Sequence, residues 1–67
     1  MKTTGTILRE RRETQGITLA QVEEATKIRI KFLEAIEQDD YSLLPSISYA
    51  KGFVKNYSDF LGLDSRT

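Results

Sequence analysis

The sequence predicts a small all-α domain of four helices built around a helix-turn-helix. Apolar residues recur at helical spacing over residues 18–37 and 47–61, and the first of these runs changes register near Thr26. One proline and four glycines leave few positions that must interrupt a helix. Because its register changes, we expect the first run to form two short helices joined by a tight turn. A chain of 67 residues leaves room for only one domain.

Composition is typical of a globular domain and excludes several kinds of chemistry. Hydrophobic residues make up 39% of the chain and charged residues 30%, with no cysteine and no histidine. Disulfides, thiolate chemistry, the usual zinc ligand sets and imidazole acid-base catalysis are therefore excluded. We expect no enzyme activity, metal or cofactor. No run approaches the roughly 18 apolar residues of a membrane span, and the N-terminus lacks a signal peptide's apolar segment, so we expect a soluble, cytoplasmic chain.

Charge is balanced overall but unevenly distributed. The net charge is zero, yet residues 1–31 hold seven Lys and Arg against four Glu, whereas residues 32–44 hold four acids and no base. The excess of basic residues in residues 1–31 is compatible with a nucleic-acid or membrane-surface partner. An ordinary solvated face explains the same distribution, since domains that grip phosphates usually carry an overall excess of basic residues.

The first two helices are predicted from their capping residues and apolar positions. The first should run from Gly5 to Thr14 and end at Gly16, with Ile7 and Leu8 buried and with Arg12 among the residues that face water. The second should begin at Leu19, because Thr18 and Gln21 have the spacing of a capping box. Its core residues are expected to be Val22, Ala25 and Ile28. The third helix should add Phe32, Leu33 and Ile36 to the same core.

Residues 38–46 contain acids, serines and the only proline, which predicts a loop whose apolar residues Tyr41, Leu43 and Leu44 enter the core. The last helix should run from Ile47 to Leu61 and end at a left-handed Gly62. A helical wheel places its core stripe at Ile47, Ala50, Val54, Tyr57 and Leu61. Three aromatics, Tyr49, Phe53 and Phe60, lie beside that stripe, where they either cover the first helix or form a partner surface.

Four segments of the sequence form a specific combination: Gly16-Ile17-Thr18-Leu19, Thr26-Lys27-Ile28-Arg29, Leu44-Pro45 and the stretch from Tyr49 to Tyr57. In these segments the chain resembles the cytoplasmic N-terminal domain of RodZ-type bacterial proteins, a variant of the Cro/repressor-type helix-turn-helix. The resemblance covers nearly the whole chain. Ser46 departs from the pattern, since family members often have glycine after the proline.

The resemblance implies a bitopic membrane protein that connects the bacterial actin MreB to the cell-wall elongation machinery. The chain would be a fragment at the cytoplasmic face of the membrane, ending where a fifth helix often begins and lacking the transmembrane helix. The positions that match the aromatics presented to MreB are Tyr49 and Phe53. Nearby Lys51 and Lys55 would steer an acidic partner or remain in water.

Two alternatives stay open. A repressor would read DNA through Arg29 and Lys31 on the second helix of the motif, but Ile30 offers base edges no hydrogen bond and Glu34 repels phosphates. Lys27 and Glu23 also depart from the repressor pattern, so we expect weak DNA binding or none. In the second alternative the domain is an oligomerisation module, in which the three aromatics beside the core stripe of the last helix pair with those of a second copy.

Overall fold

The computed structural model describes residues 2–63, which form four α-helices and one short 3₁₀ helix. The helices are α1 (Thr4–Thr14), α2 (Leu19–Thr26), α3 (Ile30–Glu37) and α4 (Ile47–Leu61), and the 3₁₀ helix (Tyr41–Leu43) lies inside the predicted loop. The predicted all-α helix-turn-helix fold is confirmed. None of the helices in this range is long and apolar enough to cross a membrane. The fifth helix that the resemblance implies lies outside the described residues.

Helix ends follow from local capping interactions. The Thr18 hydroxyl accepts from the Gln21 amide at 3.1 Å, and the Gln21 side chain accepts from the Thr18 amide at 2.8 Å, which confirms the predicted capping box. At the other end of α2, Lys27 adopts the left-handed conformation with φ 64°. This non-glycine residue therefore makes the turn between the two helices of the motif. Gly62, with φ 83°, ends α4 as predicted.

Residues from all four α-helices and the connecting segments meet in one core. Its buried members are Leu8, Val22, Ile28, Leu33, Ile36, Leu44, Ala50, Tyr57 and Leu61. Five residues that the sequence placed in the core are exposed instead: Ile7, Ala25, Tyr41, Leu43 and Ile47. For the three residues on α-helices, the physical reason is that the periodicity of a helix gives the direction of its apolar face, but not how much of that face neighbouring helices cover. Tyr41 and Leu43 lie in the 3₁₀ segment, where they were assigned to the core by apolar character alone, which does not give the direction of a side chain.

The N-terminal turn of α1 lies directly against the C-terminal end of α3. A Cβ atom added to Gly5 would lie 2.3 Å from the carbonyl oxygen of Ile36, so only glycine fits this contact. Asp39, just after α3, accepts from the Gly5 amide at 3.0 Å and from the Thr3 hydroxyl at 2.5 Å. A carboxylate at the start of a helix is favourable because the first amides there lack helical partners.

A buried polar network joins α1, α3 and α4. The Arg12 guanidinium donates to the Glu37 carboxylate through Nε at 2.8 Å and Nη2 at 3.2 Å, and the Tyr57 hydroxyl donates to the same carboxylate. Arg12 also donates to the Ile17 carbonyl at 3.0 Å. The prediction that Arg12 faces water is therefore wrong. The hydrogen bond to Glu37 raises the pKa of Arg12, and burial raises the pKa of Tyr57.

Candidate protein-interaction surface

Three aromatic side chains from α3 and α4 form a continuous row on the surface. The Phe32 and Phe53 rings are stacked with their centroids 5.7 Å apart, and the Phe53 and Tyr49 rings are tilted with centroids 5.8 Å apart. Tyr49 is 56% exposed, whereas Phe32 and Phe53 are half-buried against the core. We call these three residues the aromatic row. Its rings hold one another in fixed positions and keep an apolar face open to a partner.

The sequence predicted two members of the aromatic row and missed the third. Tyr49 and Phe53 lie one turn apart on α4, beside its core stripe, as the helical wheel indicated. Phe32 was expected to be a core residue of α3, and its stacking on Phe53 depends on how α3 and α4 pack. The Lys31 ammonium lies 5.2 Å from the centroid of the Phe32 ring, which places a positive charge at that end of the row.

A shallow depression of about 360 Å³ lies along the row on α4. It is lined by Tyr49 and Phe53 together with the small or polar residues Ser48, Gly52 and Asn56. Apart from its two chain neighbours and the nearby backbone of α4 itself, no atom would come within 4 Å of a Cβ added to Gly52. The fold itself therefore does not require glycine at this position, unlike at Gly5.

The two candidate lysines of α4 lie away from the aromatic row. Lys55 forms an exposed ion pair with Asp59 at 2.9 Å, one turn further along the helix. Lys51 lines a second groove with Tyr41 and Ile47 on a different side of α4. The structure thus does not bring either ammonium into contact with Tyr49 or Phe53, and any influence on a partner docked there would be long-range.

The end of α3 that a DNA reader would insert into the major groove carries an acid. Glu23 on α2 accepts a hydrogen bond from the Ile30 amide at 2.9 Å, so its carboxylate occupies the N-terminus of α3. Arg29 and Lys31 are both exposed beside it, and so is Glu34 one turn further on. A recognition helix enters the major groove of DNA by its N-terminal residues. The Glu23 carboxylate at that end of α3 would therefore come close to the negatively charged phosphates and oppose binding.

Within residues 2–63, no cluster of three or more carboxylates could hold a metal ion. Every buried side-chain nitrogen and oxygen in that part of the chain has a hydrogen-bond partner. The buried polar side chains of these residues therefore all take part in hydrogen bonds of the fold.

Comparisons with known proteins identify similar domains in bacterial relatives. The family model described as a helix-turn-helix domain matches residues 7–67. Over 65 residues the chain is 40% identical to the cytoskeleton protein RodZ of Streptococcus pneumoniae, an alignment that covers 97% of this chain and 24% of that protein. Over 49 residues it is 35% identical to YmfM, an uncharacterised membrane protein of Bacillus subtilis, covering 73% of this chain and 17% of that protein.

A solved structure supports the same grouping. The fold superposes on that of YmfM from Staphylococcus aureus, a candidate DNA-binding membrane protein, with a TM-score of 0.91 and 35% sequence identity. The superposition covers 94% of this chain and 77% of that one. The chain spans less than a quarter of the length of the two curated relatives that it matches.

Proposed function

Because the chain belongs to the helix-turn-helix family as a RodZ-type domain, we propose that it is a protein-interaction domain that docks the actin-like protein MreB. In this role it joins the cytoskeleton to a membrane-anchored parent protein at the cytoplasmic face of the membrane and so contributes to cell shape. The relative from Streptococcus pneumoniae is a cytoskeleton protein, and both YmfM relatives are membrane proteins.

The aromatic row is the observation that carries this proposal. Large aromatic side chains supply much contact area and lose little conformational freedom on binding, so they tend to concentrate the energy of an interface. Here Phe32 and Phe53 are fixed by stacking and by the core, which leaves Tyr49 as the exposed end of a surface that is already ordered. A partner that docks on the row therefore meets a rigid surface.

Lys51 and Lys55 have a secondary role in the proposal. Neither contacts the row, so we assign them to the long-range attraction of an acidic filament surface rather than to a binding pocket. Their contribution should fade as salt rises, whereas the contribution of the aromatic row should not.

Co-sedimentation with purified MreB filaments tests the proposal. Tyr49→Ala and Phe53→Ala should each weaken binding by about 30-fold or more, which corresponds to roughly 2 kcal/mol. Tyr49→Ala is the cleaner variant, because its exposed side chain contributes little to the core. Phe60→Ala is the matched control, since Phe60 is another aromatic of α4, is 38% exposed and lies outside the row.

The melting temperature of each variant separates loss of binding from loss of folding. The proposal requires Tyr49→Ala to melt close to the parent and to bind filaments poorly, while Phe60→Ala keeps parental binding. If Tyr49→Ala is folded and co-sediments as well as the parent, the aromatic row is not the docking surface. Gly52→Ala adds a second test, because its new methyl group projects beside the row and should weaken docking without unfolding α4.

Sequence-specific DNA binding is the second candidate function. It is favoured by the helix-turn-helix fold and by the similarity to a candidate DNA-binding protein. The zero net charge and the Glu23 carboxylate at the start of α3 oppose it. We expect weak, salt-sensitive binding with no preference for sequence. A titration showing strong preference for one duplex over scrambled competitor at physiological salt, lost in Arg29→Ala and Lys31→Ala, would favour the repressor function instead.

A further inference from the structure

The two most exposed large apolar side chains of the described residues lie around the start of α4. Ile47 is 76% exposed and Leu43 62%, and Tyr41 nearby is 40% exposed. Beside them a groove with a cavity volume of about 450 Å³ runs between the 3₁₀ segment and α4. We call it the α4 groove; the residues that line it are Tyr41, Ser42, Leu44, Ser46, Ile47, Ala50, Lys51 and Val54.

The α4 groove lies on a different side of α4 from the aromatic row. At about 100° per residue, Ile47, Lys51 and Val54 fall on one side of the helix, and Tyr49 and Phe53 fall on another. No element of residues 2–63 covers the exposed Ile47 side chain. On a domain this small, an apolar patch of this kind indicates a contact surface.

Opposite charges stand on the two sides of the groove. Lys51 lines the α4 wall. Asp40 lies at the edge of the 3₁₀ wall, where its carboxylate accepts from the amide and hydroxyl of the lining residue Ser42 at 3.3 and 2.5 Å. Neither Lys51 nor Asp40 belongs to an ion pair among residues 2–63. A patch with an apolar centre, a basic side and an acidic side is complementary to its own copy turned by 180°.

We propose that the α4 groove is a self-association surface that binds a second copy of this chain through a two-fold axis. Ile47 of each copy enters the groove of the other, and Lys51 of each copy faces Asp40 of the other. The aromatic rows stay free on another side of each α4. The pair therefore presents two rows at once, which strengthens attachment to any repeating partner through effective concentration. The self-association itself does not depend on which partner the rows bind.

Sedimentation velocity over a concentration series up to roughly 1 mM measures the pairing. The parent chain should show concentration-dependent dimers, and Ile47→Glu should weaken dimerisation at least about 10-fold. Ile47→Glu should stay folded, because the side chain is exposed and an acid in the first turn of a helix is favourable. Ile7→Glu is the matched control, since Ile7 is also exposed but lies on α1 outside the groove.

A charge exchange tests the orientation of the two copies. Lys51→Glu alone brings two acids together at each contact, and Asp40→Lys alone brings two bases together, so each variant should dimerise at least about 10-fold more weakly than the parent. An equimolar mixture of the two variants restores opposite charges at both contacts and should form heterodimers as well as the parent forms homodimers.

A chain that remains monomeric throughout the concentration series overturns the proposal, as does equal weakening by Ile47→Glu and Ile7→Glu. If the mixed variants fail to recover dimerisation while both are folded by circular dichroism, the two-fold pairing of Lys51 with Asp40 is wrong. Filament binding by the Tyr49→Ala variant is measured separately, so failure of this proposal and failure of the proposed function are distinguishable.

Discussion

Replacing Gly5 by alanine should destabilise the domain, whereas the same replacement at Gly52 should stabilise it. Both glycines lie inside helices, so the helical preference of alanine acts in the same direction at both sites. The surroundings differ. The new methyl carbon at Gly5 would lie 2.3 Å from the Ile36 carbonyl oxygen and 2.6 Å from that of Glu37, and at Gly52 it would meet nothing within 4 Å.

The magnitude at Gly5 follows from these contacts. The 2.3 Å contact must widen to at least 3.4 Å, the start of ordinary van der Waals contact, so α1 must move away from the end of α3. Overpacking of this kind costs about 1–3 kcal/mol. The same movement disturbs the 3.0 Å hydrogen bond from Gly5 to Asp39, worth about 1 kcal/mol. Subtracting up to about 1 kcal/mol for alanine's helical preference leaves a net loss of roughly 1–4 kcal/mol.

Urea unfolding followed by circular dichroism measures both variants against the parent. Since a domain of this length is stable by only about 3–10 kcal/mol, the loss at Gly5 should be unmistakable. Gly52→Ala should gain about 0.5–1 kcal/mol. A Gly5→Ala variant as stable as the parent would refute the close approach of α1 to α3. A Gly52→Ala variant that lost stability would refute the open space around α4.

Three further predictions concern the core, the buried network and the turn. Leu33→Ala should cost about 2–5 kcal/mol, because Leu33 is fully buried in the core; melting within a degree or two of the parent would contradict its placement. Because the pKa of Tyr57 is raised in the folded domain, the unfolded chain loses the hydroxyl proton at a lower pH than the folded domain does. The free energy of unfolding is therefore unaffected below pH 10 and falls above it by up to about 1.4 kcal/mol per pH unit. In urea titrations from pH 8 to about 11, Tyr57→Phe should flatten this alkaline decline while costing about 1–2 kcal/mol at neutral pH through the lost hydrogen bond; an unchanged slope would show that Tyr57 is not responsible. Lys27→Gly should gain about 0.5–1 kcal/mol in thermal melts, because glycine adopts the left-handed conformation without strain, and a loss would mean that the side chain itself stabilises the turn.

Features that depend on neighbouring residues were predictable from the sequence. The Thr18 capping box, the left-handed Gly62 and the limits of α4 each involve groups within a few residues of one another, and all three were predicted as the structure has them. Tyr49 and Phe53 could also be placed beside the core stripe of α4, because both lie on one helix whose geometry is known in advance.

Features that depend on how the helices pack were not predictable. Arg12 and Glu37 are 25 residues apart, and a charged residue on the polar side of a predicted helix is ordinarily assigned to water. Ile47 belongs to the apolar stripe by its angle, yet no described element covers its side chain. Phe32 joins the aromatic row only because α3 and α4 meet at the orientation that stacks its ring on Phe53.

The network of Arg12, Glu37 and Tyr57 has a consequence for how the domain unfolds. If α1 separates from the rest, the Glu37 carboxylate loses both hydrogen bonds from the Arg12 guanidinium together with the packing of α1 against α3, which is strongly unfavourable. Partial unfolding that spares α3 and α4 is therefore suppressed, and the helices should open together in one cooperative step. Slowly exchanging amides in α1, α3 and α4 should share a single opening free energy. The aromatic row, which spans α3 and α4, would then persist for as long as α1 remains docked.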